Sequence, residues 1–187
     1  MKKILTLLAT IAFLATFTTS HAAGYIGVSF GSTSPDEDGF DDSDGYKLTA
    51  GYNANENVSI EASFTNLGEF DADDDLIAAL EFFSGIAIDD ASVEVDGIEF
   101  AVVGHAPLSD TISIFGRVGI FMWDAEIKID TVSFGSDSET DDGSDAFFGA
   151  GLSFDVSSQA ALRVEYSQYD AADGDIDFIG VGLDIKF

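Results

Sequence analysis

The stretch "GVGLDIKF", residues 180–187, alternates apolar side chains with polar or small ones. In an extended strand successive side chains point to opposite faces, so every second residue from Val181 to Phe187 shares one apolar face. A strand with one apolar face needs a covering layer on that face. The first question that this sequence raises is whether protein or lipid provides the cover.

The same alternation recurs along the rest of the chain. Runs in which every second residue is apolar indicate strands that are covered on one face. The predicted strands are residues 24–31, 45–52, 58–65, 97–104, 111–123, 147–154, 160–169 and 177–187. The pattern therefore predicts an all-β fold with eight strands.

The connections between these strands alternate in length. Residues 53–57, 106–110 and 155–159 are short turns, whereas 32–44, 70–92 and 130–145 are long and acidic. The remaining connection, 170–175, is brief. Short turns at one end and long loops at the other predict an antiparallel up-and-down sheet.

The two faces of the predicted strands differ in a way that favours lipid as the cover. Of the five Lys and Arg residues after position 22, all except Lys128 lie on the polar face, and the loops are almost purely acidic. An apolar face turned outward and a polar face turned inward explain this distribution. A closed barrel is the form in which a sheet can span hydrocarbon, and the interior of an eight-stranded barrel is just wide enough for side chains to fill. Aromatic residues predicted for girdles at the two membrane surfaces are Tyr25, Tyr46, Tyr52, Trp123, Tyr166, Tyr169 and Phe187.

Eight charged residues fall on the predicted inward face. They are Lys47, Glu61, Glu99, Arg117, Arg163, Glu165, Asp184 and Lys186. Buried charges are costly unless they are paired and hydrogen-bonded, so we expect these groups to form a network that fills the lumen. A narrow water-filled channel is the alternative that the sequence leaves open.

The first 22 residues have the pattern of a cleaved signal peptide. Two lysines precede an apolar run, and small residues lie before a cleavage site after Ala22. Residues 23–187 are then the barrel domain. Loss of Lys2 and Lys3 changes the formal net charge from −28 to −30, which excludes nucleic acid as a partner. The absence of cysteine excludes disulfides.

Three segments carry a resemblance to a known family. The segments "FGRVGIFMWDAE" (115–126), "GAGLSFDVSSQAALRVEYSQYD" (149–170) and "GVGLDIKF" resemble the eight-stranded outer-membrane β-barrels similar to the OmpA membrane domain. The resemblance implies an outer-membrane location and contact with lipid and lipopolysaccharide. Because the sequence stops at the end of the barrel, we expect the peptidoglycan-binding domain of full-length members to be absent. We also expect a monomer. The resemblance also implies that Gly182, Ile185 and Phe187 form the signal read by the barrel-assembly machinery.

Candidates for catalysis and metal binding are few. His105 has Ser109 and Ser113 nearby in sequence, but no nucleophile motif surrounds them, so a lipid-A-modifying enzyme is the least favoured function. The acidic segments 36–45 and 71–75 offer oxygen ligands for divalent cations without the spacing of a calcium-binding loop. We therefore predict no catalytic residue, no cofactor and no dedicated metal site, and we expect the acidic segments to attract divalent cations only loosely.

A short amphipathic helix is predicted at residues 76–83, resting on the rim of the barrel. The function that these observations favour is a role in envelope integrity or surface interaction. A small pore or transport barrel for ions or small solutes is the alternative.

Overall fold

The computed structural model describes residues 24–37, 39–132, 135–171 and 174–187. The predicted signal peptide, residues 1–22, lies outside the described residues. The elements are β1 (Gly24–Pro35), β2 (Ser43–Asn55), β3 (Val58–Asp71), α1 (Asp74–Ser84), β4 (Ile88–Pro107), β5 (Ile112–Thr131), β6 (Gly135–Ser157), β7 (Ala160–Ala171) and β8 (Gly174–Lys186).

The eight strands form one closed barrel in which each strand pairs with the next in the chain. All pairings are antiparallel, and β1 pairs with β8 to close the ring. At the seam Gly24 N donates to Phe187 O over 3.2 Å, and Phe187 N donates to Gly24 O over 2.9 Å. The prediction of an eight-stranded antiparallel up-and-down barrel is confirmed.

Strands β4, β5 and β6 are much longer than predicted. The prediction of a long loop at 130–145 is wrong, since β5 reaches Thr131 and β6 starts at Gly135, paired in register with Thr131. Backbone ladder bonds need no apolar face, so the pairing continues where the side chains are acidic or hydroxylic. We call this extension of β3 to β6 beyond the lipid-facing residues the outer wall.

The outward face of the barrel is apolar and exposed. Phe30, Val118, Ile179 and Val181 are each at least 60% exposed. Such a continuous apolar surface on a protein indicates contact with lipid. Tyr46, Tyr52, Tyr166 and Phe187 are also on this face, as predicted for girdle residues.

Three of the predicted girdle residues are not on the lipid face. Tyr25, Trp123 and Tyr169 are buried inside the barrel, so their assignment to the girdles is wrong. Each lies an even number of residues from an inward neighbour of its own strand, and strand alternation turns it inward. The interior of the barrel is therefore partly aromatic.

Glycines on the opposing strand make room for two of these rings. Gly51 is paired with Tyr25, and a Cβ added at Gly51 would lie 2.0 Å from the Tyr25 ring. Gly143 is paired with Trp123, where the corresponding distance is 2.3 Å. The rings therefore lie flat over glycine and fill the interior at these positions.

Helix α1 lies between β3 and β4, and the prediction of a helix at 76–83 is confirmed. Its N-cap Asp73 accepts a hydrogen bond from Leu76 N over 2.8 Å, and Asp74 and Asp75 follow in the first turn, where carboxylates are favourable. The helix ends at Gly85, which adopts the left-handed conformation. Within the described ranges, no helix is both long and apolar enough to cross a membrane.

Candidate functional site

The barrel interior holds a cluster of ion pairs, which we call the charged layer. It consists of Lys47, Arg117 and Arg163 with Glu61, Glu99 and Glu165, and all six side chains are almost completely buried. Alternation along β2, β3, β4, β5 and β7 turns each of them inward.

Lys47 joins two carboxylates on different strands. Its Nζ lies 2.5 Å from Glu165 Oε1 and 3.5 Å from Glu99 Oε1. The ammonium also lies 4.9 Å from the centroid of the Phe178 ring, within the range of a cation–π interaction. A lysine with no exposed surface is thus fully surrounded by partners.

Arg117 is the centre of the charged layer. One terminal nitrogen donates to Glu99 and lies 3.5 Å from Glu61 Oε2, and the other lies 3.4 Å from Glu165 Oε1. The guanidinium therefore contacts all three glutamates. This multidentate geometry is one that Arg provides and Lys does not.

Arg163 extends the layer toward the end of the barrel that carries the short turns. It donates to Glu61 Oε1 over 2.6 Å and lies 3.9 Å from Asp184 Oδ2. Its guanidinium stacks 4.5 Å from the centroid of the Phe115 ring. Seven of the eight residues predicted for the inward network thus lie in one connected group.

Lys186 is the member that the structure separates from the others. Its Nζ bonds Asp155 Oδ1 over 2.5 Å, and both side chains are partly exposed, at 29% and 41%. Lys186 sits at the last position of β8, where the barrel opens to solvent. Its ion pair is therefore a rim contact.

Hydroxyl groups orient the carboxylates of the charged layer. Tyr25 donates to Glu61 over 2.7 Å, while Thr65 and Tyr169 donate to Glu99 over 2.5 Å and 2.6 Å. These three donors were not among the predicted network residues. Position was the available signal for two of them, because Thr65 shares the inward face of β3 with Glu61 and Tyr169 shares that of β7 with Glu165. Strand β1, which carries Tyr25, has no network residue to give such a signal.

Above the charged layer lies an aromatic layer, which we define as Phe121, Phe147, Tyr169 and Phe178. The Tyr169 ring stacks on Phe147 with centroids 5.2 Å apart and meets Phe121 edge-on at 5.0 Å. All four side chains are almost completely buried. Together with Leu67 and Val95 they pack the lumen toward the outer wall.

His105 does not meet either of the serines considered with it. Its Nε2 lies 2.7 Å from Ser59 Oγ, and Ser59 is fully buried. Ser109 Oγ instead accepts hydrogen bonds from the backbone of Thr111 and Ile112 in the turn. His105 and Ser59 join the inward hydrogen bonds of Tyr25, whose hydroxyl is 3.3 Å from Ser59 Oγ.

The acidic segments do not assemble a metal centre in the part of the chain that the structure describes. No three His, Asp or Glu side chains there are placed to hold an ion. Asp73, one of the candidate ligands, caps helix α1. Binding of divalent cations at these segments stays a prediction.

The outer wall carries one further ion-pair group on its exterior. Lys128 Nζ lies 3.5 Å from Glu69 Oε1 and 3.6 Å from Glu94 Oε2, and Ser92 donates to Glu69 over 2.8 Å. These residues lie beyond the lipid-facing part of their strands. The hydrogen bond from Ser92, with a smaller effect of Lys128, lowers the pKa of the Glu69 carboxyl.

A closed barrel with an apolar outer surface and internally paired charges is the architecture of a transmembrane β-barrel. Residues 4–187 match the family model of the outer membrane protein beta-barrel domain, and the chain belongs to that family. The resemblance to OmpA-like barrels and the outer-membrane location are thereby confirmed. No curated protein sequence matches the chain.

Several solved structures share the fold at low sequence identity. The attachment invasion locus protein Ail of Yersinia pestis has a TM-score of 0.59 at 16% identity, covering 88% of this chain and 97% of that chain. Neisserial surface protein A has a TM-score of 0.64 at 12% identity, with 88% and 97% covered. The N-terminal barrel domain of Pseudomonas aeruginosa OprF has 0.53 at 14% identity, with 88% and 98% covered. At these identities the likeness shows the fold alone.

Proposed function

We propose that this protein is a closed, non-conducting outer-membrane barrel whose role is contact at the cell surface, made through the outer wall and α1. The observation that carries the proposal is the filled lumen. Lys47, Arg117 and Arg163 are each paired with carboxylates across the interior, and the aromatic layer packs on top of them. A filled lumen conducts little, so the solvent-exposed part of the molecule is the part available for a function.

The charge of the exposed part supports a particular type of contact. Among the solved structures that share the fold, Ail of Yersinia pestis has been determined in complex with the heparin analogue sucrose octasulfate, which is a polyanion. The outer part of this chain is acidic, and Lys128 is its one Lys or Arg. A polyanion would be repelled here, so we propose that the surface contacts of this protein are with cationic or neutral partners.

A small pore is the second candidate, and one observation favours it. Five buried polar atoms make no hydrogen bond within the described protein, namely Glu61 Oε2, Arg117 Nε, Arg163 Nε, Glu165 Oε2 and Ser167 Oγ. Such atoms suit a narrow, hydrated path through the charged layer.

Conductance in planar bilayers separates the two candidates. For the wild-type protein we expect no current steps above the leak of the lipid. Arg163→Ala, which opens the charged layer, should raise the conductance, and Lys186→Ala at the rim should not. Stable, ion-selective steps of the wild type would refute the closed barrel and establish the pore.

One predicted partner, the barrel-assembly machinery, remains a proposal. We propose that Gly182, Ile185 and Phe187 act as the signal for the barrel-assembly machinery. Ile185 and Phe187 are exposed on the outward face, and Gly182 lies beside the inward Ser29 of β1. Replacing Phe187 with Ser should then reduce the amount of protein inserted in cells without changing the stability of the refolded barrel.

A further inference from the structure

Helix α1 presents two large apolar side chains to solvent. Phe82 and Phe83 are 83% and 85% exposed, and their rings meet edge to face with centroids 5.6 Å apart. They lie in the last turn of the helix, next to Glu81, whose Oε1 accepts a hydrogen bond from Ile88 N over 2.9 Å. This bond fixes the aromatic pair near the start of β4, at the far end of the outer wall.

The helix is apolar on both of its sides. Leu76, Ile77 and Leu80 are half-buried on the side that faces the barrel, and Leu76 packs over Gly39. The opposite side carries Ala78 and Ala79 with the two phenylalanines, and all four are exposed. A contiguous exposed apolar patch on a protein marks an interaction site. Within the described residues, nothing covers this second side.

The hydrocarbon of the membrane is not placed to cover it. Met122 is the last apolar residue on the lipid-facing side of β5, and the outward positions that follow are Asp124, Glu126 and Lys128. From Met122 to Thr131 the strand rises about 20 Å along the membrane normal, given its rise per residue and the tilt of barrel strands. Val132 N donates to Ala87 O, so the end of the α1 segment is held at this height.

A second copy of the chain is disfavoured by charge. Residues 71–90, which include α1, contain seven Asp and Glu and no Lys or Arg. Two such surfaces repel each other when they meet. The same acidic segment attracts a surface of opposite sign.

We propose that the exposed side of α1 is a docking surface for a cationic polypeptide segment that carries apolar side chains. The inference rests on the proposed role in surface contact and names the class of partner. Phe82 and Phe83 are the apolar anchors, in keeping with the dominance of aromatic residues at binding hot spots. The carboxylates of this acidic segment, such as Asp75 and Asp89, steer the partner and exclude anionic proteins.

The test uses the full barrel in nanodiscs of zwitterionic lipid and three synthetic peptides of equal length. One peptide is an amphipathic helix of Lys and Leu, the second has Glu in place of Lys, and the third has Ser in place of Leu. Affinities are measured by fluorescence anisotropy, with empty nanodiscs subtracted. We expect the Lys/Leu peptide to bind the barrel well above both of the others.

Variants identify the surface that binds. The double variant Phe82→Ser with Phe83→Ser should weaken binding of the Lys/Leu peptide by about tenfold or more, as expected for hot-spot residues. It should leave the weak binding of the Lys/Ser peptide unchanged. Leu108→Ser is the matched control, because Leu108 is also apolar and exposed but lies in the short turn at the opposite end of the barrel. Asp75→Asn with Asp89→Asn should weaken the binding of both Lys-containing peptides, which tests the contribution of these carboxylates.

Other outcomes would contradict the proposal or one of its premises. Equal affinity of the double serine variant and the wild type would overturn the docking surface, as would equal binding of the Glu/Leu peptide. Binding to empty nanodiscs as strong as to loaded ones would assign the effect to lipid. Self-association of the wild type, abolished by the double serine variant in sedimentation experiments, would replace the proposal with a dimer. Conductance of the wild type would refute the closed barrel and leave these binding results unaffected.

Discussion

Arg163 on β7 donates a hydrogen bond of 2.6 Å to Glu61 on β3, on the opposite side of the barrel. Both side chains are almost completely buried. The bond therefore crosses the lumen and ties together two strands that share no ladder. Lys47 on β2 and Glu165 on β7 make a second bond of this kind. In contrast, the ion pair between the neighbouring strands β7 and β8, Arg163 with Asp184, is long at 3.9 Å.

Removing Arg163 should destabilise the barrel strongly. Arg163→Ala leaves Glu61 with Arg117 as its remaining cation at 3.5 Å, and an incompletely paired buried carboxylate costs on the order of 3–5 kcal/mol, less where water enters. We expect a clear drop of the urea unfolding midpoint in detergent or lipid vesicles.

Lys186→Ala is the matched control for this change. It also removes a cation from an ion pair with a short contact, but the pair with Asp155 is partly exposed, where such pairs contribute about 1 kcal/mol or less. If the two variants lose the same stability, the lumen charges are hydrated individually and the network does not hold the barrel.

Tyr169 connects the charged layer to the aromatic layer. Tyr169→Phe removes the hydroxyl that donates to Glu99 and keeps the ring between Phe121 and Phe147. Loss of a hydrogen bond to a buried carboxylate should cost roughly 1–3 kcal/mol in the free energy of unfolding. Tyr52→Phe, on the outward face, should be nearly silent. An unchanged midpoint for Tyr169→Phe would show that Thr65 and the cations satisfy Glu99 without it.

Alternation of side chains was sufficient to predict the strands of the membrane belt and the side on which each charge lies. Period two is imposed by the pleat, so Lys47 and Glu165 are turned inward whatever their neighbours are. Alternation says nothing about which inward groups meet, because that depends on the closure of the ring. The contact of Lys47 with Glu165 joins residues separated by 118 positions in sequence.

The outer wall and the aromatic interior were missed for two different reasons. Residues 135–145 of β6 are almost all polar or acidic, and an apolar–polar alternation is absent where both faces meet water. Trp123 and Tyr169 were assigned to the membrane surfaces by residue type, although their positions have the inward parity of Arg117 and Glu165. Parity is the stronger rule, since it follows from backbone geometry.

The ion-pair group on the outer wall leads to a prediction about pH. The pKa of Glu69 is lowered in the folded protein, chiefly by the hydrogen bond from Ser92. The stability that this carboxylate contributes is therefore present above its unfolded pKa of about 4.3 and is lost as the pH falls through the folded value. Ser92→Ala should move the pKa of Glu69 up toward its ordinary value in an NMR titration of the carboxyl carbon. Lys128→Ala should move it less, and Ser138→Ala on β6 should leave it in place. If the pKa of Glu69 is the same in Ser92→Ala as in the wild type, another group lowers it.

The lipid-facing surface can be tested with a single charge. Val181 and Leu183 lie near the middle of β8 and point outward, so Val181→Arg or Leu183→Arg places a cation in the hydrocarbon. An arginine near the bilayer midplane costs roughly 2–4 kcal/mol in a barrel. Ser138→Arg places the same side chain at an outward position of the outer wall, and Lys128→Ala removes a charge there. Both positions are solvated, so both variants should change the unfolding free energy by about 0.5 kcal/mol or less. The unfolding free energies are compared by urea titration in lipid vesicles, and the titration is repeated in a detergent of short chain length. In the detergent the cost of the two β8 variants should be smaller, because water reaches the arginine. Equal and small effects at all four positions would mean that the apolar face does not meet lipid.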